Sequence, residues 1–388
     1  MTAIVESPID GALTTAESVL SARAGTPVAL SDPEDLGGSG RSIVVRARVS
    51  KNPVSTHRTL VIKSLGAEDD PESFHREVAA YQYATALPSE SRPGPQLIAH
   101  DPVRRVIVLS DLGTGAAMTD LLGGTDTEEV SRAVSAWGQA LGRMHAATVG
   151  GEEDFNALLR RSHARSFEGV PTRWAKRVVA ELPGVARSLR VEVPESVSHR
   201  LATAVGLFAE GEFRAFSPSD VGPENILINA DGVRFMDYEW GGFRDAVLDV
   251  AYGLVTFGEH LGPRSAAVRA ELETALVDAW RSEAESMWPA LGDDRAVADL
   301  IASARLLWVW CSTVVFVGAS DSGPTDAAEE SMLSHDWAIT TADPVVACQR
   351  WDELAVASER LAGDNPRMAE LAAFSGAFAA ALRRDWLS

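Results

Sequence analysis

The chain has 388 residues, and at about 150 residues per domain this length predicts two to three domains, or one large domain with insertions. Its 46% hydrophobic and 23% charged residues are typical of a globular protein and exclude wholesale disorder. The 35 basic and 55 acidic residues give a net charge of −20, which argues against nucleic acid and anionic membranes as partners. The same charge favours a cationic small molecule only weakly.

Cysteine usage and hydropathy indicate the compartment. Cys311 and Cys348 are too few for a disulfide framework, so we expect a reducing, cytoplasmic environment. No basic-then-apolar signal segment occupies the first residues. The longest apolar run, residues 306–318, is too short to span a bilayer and predicts a buried helix instead. We therefore expect a soluble protein.

Strand patterns dominate the first hundred or so residues. Residues 43–49 alternate apolar and basic positions after a glycine-rich turn, and residues 60–63 and 106–109 are short β-rich runs. Between the last two, an acidic first turn at residues 70–73 predicts the start of a helix that continues through Tyr81. The front of the chain is therefore expected to be a sheet with one helix.

The remainder is mainly helical in pattern, with one exception. Apolar residues recur at helical spacing from Val134 to His145, and an alanine-rich tail from Met368 predicts a final helix. Residues 225–229 and 233–237 instead form two short apolar runs joined through an Asp-Gly turn. This arrangement is a strong signal for a β-hairpin.

A single lysine stands out against the composition. The chain has only three lysines, so arginine supplies almost every surface cation. Lys63 nevertheless ends an apolar strand, and Glu77 follows 14 residues later on the predicted helix. A strand lysine that pairs with a helix glutamate is a kinase feature, in which the ammonium binds phosphates.

The predicted hairpin carries the second group of polar residues. Asp220 and Asn225 lie five residues apart on a turn rich in proline and glycine, and Asp237 ends the return strand. An amide and a carboxylate beside phosphate oxygens suffice to hold Mg²⁺, which keeps several waters. Asp220 would then accept the proton of a hydroxyl nucleophile. The alternative is that these side chains merely cap turns, as Asp and Asn commonly do.

Other motifs of enzyme chemistry are missing from the sequence. No Gly-Lys dipeptide exists for a Walker phosphate loop, and the glycines at 113–115 lack the third glycine and the βαβ setting of a dinucleotide site. Neither a His-Glu-x-x-His motif nor paired cysteines are present to hold zinc. The kinase pattern is thus the one that remains.

Taken together, these residues resemble the aminoglycoside phosphotransferase and choline kinase family of the protein-kinase-like fold. The family's catalytic stretch is similar to Pro218-Ser219-Asp220-Val221-Gly222-Pro223-Glu224-Asn225 and Phe235-Met236-Asp237-Tyr238-Glu239. Its hinge resembles Leu109-Ser110-Asp111-Leu112-Gly113, and its Asp-x-Ala segment resembles Asp249-Val250-Ala251. The similarity covers roughly residues 20–260, and the last 130 or so residues match only in being helical.

The resemblance implies an α+β fold with two lobes: a β-rich nucleotide-binding lobe at residues 1–109 and a mainly helical lobe at residues 110–388. It implies transfer of the γ-phosphoryl group of ATP or GTP to a hydroxyl of an amino sugar, an aminoglycoside-like antibiotic or an amino alcohol. Asp220 would be the catalytic base, Asn225 and Asp237 would hold Mg²⁺, and Asp249 would brace the catalytic loop. The implied nucleotide contacts are Lys63, Glu77, Gly38, Ser39, Gly40, Leu109, Asp111 and Leu112. The acceptor and the oligomeric state stay open.

Two departures from the family pattern keep an alternative open. The catalytic-loop histidine of the family is Pro218 here, and the residue two positions after Asp220 is Gly222. Proline could fix the loop backbone instead. A nucleotide-binding protein that has lost catalysis is therefore the alternative. A protein kinase is disfavoured because such enzymes prefer a lysine at the position of Gly222 and carry an Ala-Pro-Glu segment after the metal-binding aspartate.

Overall fold

The structure is a computed structural model that describes residues 7–38, 42–51, 57–66, 71–162, 164, 169–314 and 343–387. Sheets and helices are segregated along the chain, which confirms the predicted α+β class. The chain divides into two compact units. The first unit comprises Met1–Thr114, Glu153–Arg165 and Arg234–Gly241, and the second comprises Gly115–Glu152, Ser166–Val233 and Gly242–Ser388.

A five-stranded antiparallel sheet forms the centre of the first unit. Its strands follow the order β1-β2-β3-β5-β4. Their bounds are β1 Ala29–Gly37, β2 Ser42–Lys51, β3 Thr59–Leu65, β4 Leu97–Asp101 and β5 Val106–Ser110. In the register, Lys63 lies between Val44 and Ile107, and Val61 lies between Arg46 and Leu109. Because side chains alternate along a strand, Val61 and Lys63 share one face of this sheet.

The other face of the sheet is covered by a helix that the sequence did not predict. Helix α1, Pro8–Ala24, has proline in its first turn and ends at Gly25, whose φ of 65° is left-handed. Ala12, Ala16 and Leu20 pack on Leu60, Ile62 and Val108 in one apolar cluster. The buried residues of α1 are two alanines, a threonine and one leucine, so few large apolar residues mark its helical periodicity.

Helix α2, Pro71–Thr85, holds a later segment of the chain in the first unit. Tyr81 of α2 stacks on Tyr238 at 5.0 Å between ring centroids, and Nε of Arg76 donates to the carbonyl of Glu239 at 3.1 Å. The Arg76 guanidinium also lies over the Trp240 ring. The sequence predicted a single lobe boundary after Leu109. These contacts explain why residues 234–241 belong to the first unit as well.

The second unit is mainly helical. Helices α4 and α11 pack closely where α4 carries Gly138 and Gly142, since a Cβ at either position would overlap a backbone carbonyl of α11. Strands β7 and β10 form an antiparallel pair, and β6, β8 and β9 form a small sheet that contains the predicted hairpin. The strands are β6 Ala116–Ala117, β7 Arg214–Ser217, β8 Ile226–Asn229, β9 Gly232–Phe235 and β10 Gly242–Asp245.

Helix bounds for the rest of the chain follow in chain order. They are α3 Met118–Leu122, α4 Thr127–Thr148, α5 Glu152–Arg161, α6 Val170–Ala180, α7 Leu182–Ser188, α8 Glu195–Gly206, α9 Val247–Thr256, α10 Pro263–Ala267, α11 Arg269–Ala284, α12 Asp294–Val314, and the C-terminal helices Pro344–Ala362 and Pro366–Trp386. Short 3₁₀ turns occupy Ser89–Ser91, Pro223–Asn225, Phe257–His260 and Pro289–Gly292. The predicted helical tail is confirmed.

Helix α12 contains the long apolar run of the sequence. By length and composition, its window Asp294–Thr313 is the one candidate membrane span among the described residues, but 78% of that window is buried inside the protein. Trp308 and Trp310 are fully buried and donate to the backbone carbonyls of Leu248 and Val178. The burial of this run confirms the predicted buried helix as far as the described residues extend.

Candidate active site

Lys63 lies at the centre of a group of carboxylates in the first unit. Its Nζ is 2.8 Å from Oε1 of Glu77, 3.0 Å from Oδ1 of Asp237 and 3.9 Å from Oε2 of Glu239. We call Lys63 and these three residues the Lys63 cluster. The ion pair expected between Lys63 and Glu77 is present, and Asp237 joins it because its segment packs on α2. Sequence reasoning did not assign Glu239 to the site.

The charges of the Lys63 cluster do not balance. Burial alone would lower the pKa of Lys63, but Asp237, Glu77 and Glu239 outweigh burial and raise the pKa well above its ordinary value. Burial, together with the neighbouring carboxylates, raises the pKa of Glu77 and of Glu239 despite the ammonium. Three carboxylates thus face the ammonium of Lys63, and Arg76 adds a weaker positive charge near Glu239, so the excess remains negative.

This excess fits the binding of a hard divalent cation. Carboxylate oxygens are the ligands that Mg²⁺ prefers, and the cation usually keeps several waters. Asp237 and Glu239 are the accessible members of the Lys63 cluster, with side chains 40% and 34% exposed. Oε2 of Glu77 is buried without a hydrogen-bond partner among the described residues. The donor set therefore suits Mg²⁺ beside Lys63.

Backbone conformation marks the site as well. Among the described residues other than glycine, five have a positive φ, and these include Asp237 at 53° and Ser219 at 79°. Left-handed backbone is costly for residues with a Cβ, and it persists where the surroundings enforce it. Asp237 follows β9 by two residues, so this conformation turns the chain where the carboxylate meets Lys63.

The glycine-rich turn is only partly described. Ser39 and Gly40 lie outside the described residues. Gly38 follows β1, and a Cβ at this position would overlap the backbone carbonyl oxygen of Ser42. The close approach of the two chain segments therefore requires glycine at position 38.

Three of the residues expected to contact the nucleotide, Leu109, Asp111 and Leu112, lie at or just after the end of β5. Leu109 is buried and pairs with Val61 on one side and Leu97 on the other. Asp111 accepts hydrogen bonds from the backbone of Gly113 at 2.9 Å and from Nε of Arg46 at 3.0 Å. Burial would raise the pKa of Asp111, but these hydrogen bonds hold it below its ordinary value. Asp111 is thus committed to holding its own loop, and partly buried Leu112 follows it.

The second unit holds a separate group of predicted site residues, on the loop between β7 and β8. Nδ2 of Asn225 donates to the backbone carbonyl of Asp220 at 3.4 Å, which leaves Oδ1 as the amide atom suited to a metal. Asn225 ends a 3₁₀ turn, and its own N–H donates to the carbonyl of Gly222. The loop therefore places Asp220 and Asn225 close together, followed directly by the hairpin.

Asp220 has a buried partner that sequence reasoning missed. The hydroxyl of Tyr252, on α9, donates to Oδ1 of Asp220 at 2.8 Å. Burial and the charge of Asp220 raise the pKa of Tyr252 well above its ordinary value, so the phenol keeps its proton. The sequence offered one signal for this contact. Tyr252 follows Asp249 by three residues, so both side chains lie on the same face of one helix, and Asp249 was expected to brace the loop.

A saturated polar network underlies the same loop. Asp249 is fully buried and is contacted by His145 at 3.0 Å, Ser217 at 2.8 Å and Nε of Arg244 at 2.7 Å. Trp280 in turn donates to Nδ1 of His145 at 3.0 Å. We call these five residues the Asp249 network. Burial would raise the pKa of Asp249, but Arg244 and the hydrogen bonds lower it.

The Asp249 network supports the loop between β7 and β8, which begins at Pro218. Nη2 of Arg244 donates to the carbonyl of Ser219 at 2.7 Å, and Oγ of Ser217 accepts from the backbone of Ser219 at 2.8 Å. Both contacts hold the residue that precedes Asp220. The bracing expected of Asp249 is therefore indirect and passes through Arg244 and Ser217.

Comparisons with known proteins give structural likeness only. No protein-family model matches the chain, and no curated protein is similar to it in sequence. Solved structures are similar: a choline/ethanolamine kinase family protein from Mesorhizobium loti is 17% identical, with 89% of this chain and 92% of that chain covered and a TM-score of 0.44. For a choline kinase from Cryptosporidium parvum the values are 12%, 89%, 93% and 0.47.

An antibiotic-modifying enzyme is similar to a comparable degree. An aminoglycoside-3'-phosphotransferase of type VIII is 19% identical to this chain, with 77% of this chain and 97% of that chain covered and a TM-score of 0.41. Since these identities lie below 20% and the TM-scores below 0.5, any function has to be argued from the residues of this chain. The chain is similar to choline and ethanolamine kinases and to aminoglycoside phosphotransferases, the resemblance that its motifs predict.

Proposed function

We propose that the protein is a small-molecule kinase that transfers the γ-phosphoryl group of a nucleoside triphosphate, ATP or GTP, to a hydroxyl group. The observation that carries the proposal is the Lys63 cluster. A helix glutamate holds the buried ammonium of Lys63, and three carboxylates in all surround this one ammonium. Such a group is suited to bind a triphosphate together with a divalent cation.

Each residue has a role in this proposal. Lys63, held by Glu77, would bind the α- and β-phosphates, and Asn225 and Asp237 would each offer an oxygen ligand to Mg²⁺. When bound, Mg²⁺ would supply positive charge that offsets the charge of the phosphates. Asp220 orients the acceptor hydroxyl and accepts its proton. The acceptor oxygen forms a bond to Pγ, the bond from Pγ to the bridging oxygen breaks, and the nucleoside diphosphate leaves with that electron pair.

The proposed class of acceptor rests on the charge of the protein and on the similar structures. The net charge of −20 favours a cationic alcohol such as an amino sugar, an aminoglycoside or an amino alcohol. The neighbours whose names specify choline, ethanolamine or aminoglycosides suggest the same chemical range for a first panel. We propose this range for the acceptor.

The alternative, a nucleotide binder without catalysis, predicts binding without transfer. The replacement of the loop histidine by Pro218 is the feature that raises it. The contacts of Arg244 and Ser217 with Ser219 favour the active enzyme, because the loop is braced without a histidine.

The test is an acceptor screen with Mg-ATP and Mg-GTP. Release of ADP or GDP is measured with choline, ethanolamine, glucosamine, kanamycin and water as acceptors. The kinase proposal predicts acceptor-dependent release by the wild type and a fall of about a thousandfold for Asp220→Asn, within the range of general-base effects. Nucleotide binding by this variant should persist.

Two results oppose the proposal in different ways. Binding of Mg-ATP with no release for any acceptor supports the catalytically inactive alternative. Absence of both binding and release rejects a kinase-like role altogether.

An exposed acid on α1 gives the matched control, since Asp10→Asn makes the same change far from the loop in sequence and should leave release unchanged.

A further inference from the structure

The residue two positions after Asp220 is glycine, so the loop itself supplies no side chain there. A Cβ on Gly222 would lie 3.4 Å from Cε1 of Tyr252 and 2.9 Å from Oε2 of Glu224. Protein kinases favour a lysine at this position, as noted above. In this chain the adjacent space is occupied by the ring of Tyr252, which reaches the loop from α9.

Tyr252 is held rigidly enough to orient a carboxylate. It is 1% exposed, and its ring packs edge-on against Trp308 at 5.2 Å between centroids and 87° between planes. Trp308 is fixed in turn by its hydrogen bond to the carbonyl of Leu248 at 2.8 Å. A buried aromatic side chain with only two side-chain torsions loses little freedom on further ordering. The hydroxyl therefore presents its proton at a defined point.

The hydrogen bond has a defined chemical effect on Asp220. Because the phenol of Tyr252 donates to Oδ1 at 2.8 Å, it restricts the orientation of the carboxylate. A neutral donor does this without adding a positive charge beside the carboxylate. Hydrogen bonds to charged groups are stronger than those between neutral groups, so the orientation is held firmly.

We propose that Tyr252 is a positioning residue for phosphoryl transfer, which holds the carboxylate of Asp220 in the orientation that accepts the proton of the acceptor hydroxyl. This inference rests on the proposed function. It adds a residue whose role neither the sequence motifs nor the family resemblance assigned.

The variant that isolates this role is Tyr252→Phe, which removes only the hydroxyl and keeps the ring against Trp308. We expect kcat to fall about ten- to a hundredfold, in line with the loss of one hydrogen bond to a charged group. The KM for Mg-ATP should stay within about twofold, since nucleotide binding does not involve this hydroxyl. The matched control is Tyr83→Phe, which removes a hydroxyl from a tyrosine of α2 packed on Phe155 and should leave kcat unchanged.

A double variant separates positioning from a general structural effect. In the background of Asp220→Asn, the additional change Tyr252→Phe should reduce the residual rate by less than about twofold, because the oriented carboxylate is already gone. The acceptor is the one that gives the highest release in the screen, and water serves if no other acceptor responds. Nucleotide affinity, measured by titration with Mg-ATP, reports whether each variant is folded.

Three outcomes overturn the inference alone, and a fourth overturns it together with the proposed function. A kcat of Tyr252→Phe equal to that of the wild type rejects it while the kinase proposal stands. Equal losses in the wild-type and Asp220→Asn backgrounds also reject it, because they indicate a structural role that is independent of the carboxylate. A parallel rise in the KM for Mg-ATP contradicts it in the same way. A wild type that neither binds nor hydrolyses Mg-ATP rejects the proposed function itself, and the inference with it.

Discussion

The Lys63 cluster of the first unit and the Asp249 network of the second unit place carboxylates beside cations in different balance. In the Lys63 cluster, three carboxylates share one ammonium, and burial with mutual repulsion raises the pKa of Glu77 and Glu239. In the Asp249 network, one carboxylate is contacted by Arg244, His145 and Ser217, and its pKa is lowered although it is fully buried. The Lys63 cluster therefore has an excess of negative charge, whereas the carboxylate of the Asp249 network has its counter-charge and its hydrogen bonds within the network.

This difference separates a ligand site from a structural support. A buried carboxylate whose hydrogen bonds are complete gains nothing from an additional cation. A cluster with excess carboxylates, two of them about one-third exposed or more, is completed when a cation and phosphates bind. Substitutions in the Asp249 network should therefore act on stability, and those in the Lys63 cluster on ligand binding.

The largest expected effect on stability is that of Asp249→Ala. This change leaves Arg244, which is 4% exposed, without its buried counter-charge. Removing one member of a buried ion pair costs about 3–5 kcal/mol of the free energy of unfolding. Urea unfolding measures this loss. Asp364→Ala, at an exposed carboxylate between the two C-terminal helices, is the control and should change stability by less than about 0.5 kcal/mol. Equal stability of the two variants would contradict the structural role.

A second buried carboxylate of the same unit, Glu273, predicts a pH dependence. Burial alone would raise the pKa of Glu273, but Arg305 and Arg269 lower it to about 2. Because the folded pKa lies below the unfolded value of 4.5, the stabilisation is complete above about pH 4.5 and is lost as the pH falls towards 2. Its size is about 3 kcal/mol at neutral pH.

The matched variant for this prediction is Glu273→Gln. The difference in unfolding free energy between the wild type and this variant should shrink as the pH is lowered, when measured by urea unfolding at a series of pH values. A difference that is the same at neutral pH and near pH 3 would show that the charge of Glu273 contributes nothing.

A smaller effect is expected from Arg244→Lys. An ammonium cannot donate to Asp249 and to the carbonyl of Ser219 in the fork geometry of a guanidinium. The lost hydrogen bond should cost about 1–2 kcal/mol of unfolding free energy, measured by urea unfolding. Phosphoryl transfer should fall as well, because Ser219 precedes Asp220. Unchanged transfer together with the stability loss would show that the loop needs no support from Arg244.

The sequence was sufficient where chain order and chemistry coincide. Lys63 was predicted because a lysine in an apolar strand is unusual in this lysine-poor chain, and Glu77 and Asp237 because they follow it in the order of the kinase pattern. The ion pair of Lys63 with Glu77 was expected, whereas the contact of Lys63 with Asp237 was found only in the structure. The hairpin was predicted from its Asp-Gly turn, and β8 and β9 confirm it.

Other parts could not be predicted because their signals are weak or distant. Strand β1 is acidic, contains Pro33 and lies at the sheet edge, so no apolar alternation marks it. The partners of Asp249 come from residues 32 and 104 positions away, Ser217 and His145, and such contacts exist only in the folded chain. The side-chain direction of Tyr252 likewise depends on how α9 packs.

Asp237→Asn should have the smallest effect on the free energy of unfolding and the largest effect on the binding of Mg-ATP. Asparagine tolerates the left-handed backbone that Asp237 adopts, so the fold should be kept. Since the side chain is 40% exposed, the unfolding free energy should change by less than about 1 kcal/mol. Loss of a carboxylate ligand should weaken Mg-ATP by more than about a hundredfold.

Calorimetric titration of Mg-ATP into the wild type and into Asp237→Asn therefore tests the central claim most directly. The account predicts binding by the wild type, little or none by the variant, and similar weak binding of ATP by both proteins when Mg²⁺ is removed. Asp10→Asn, the same change on the exposed side of α1, should bind Mg-ATP like the wild type. A wild type that fails to bind Mg-ATP, or a variant at Asp237 that binds it equally well, would contradict the account.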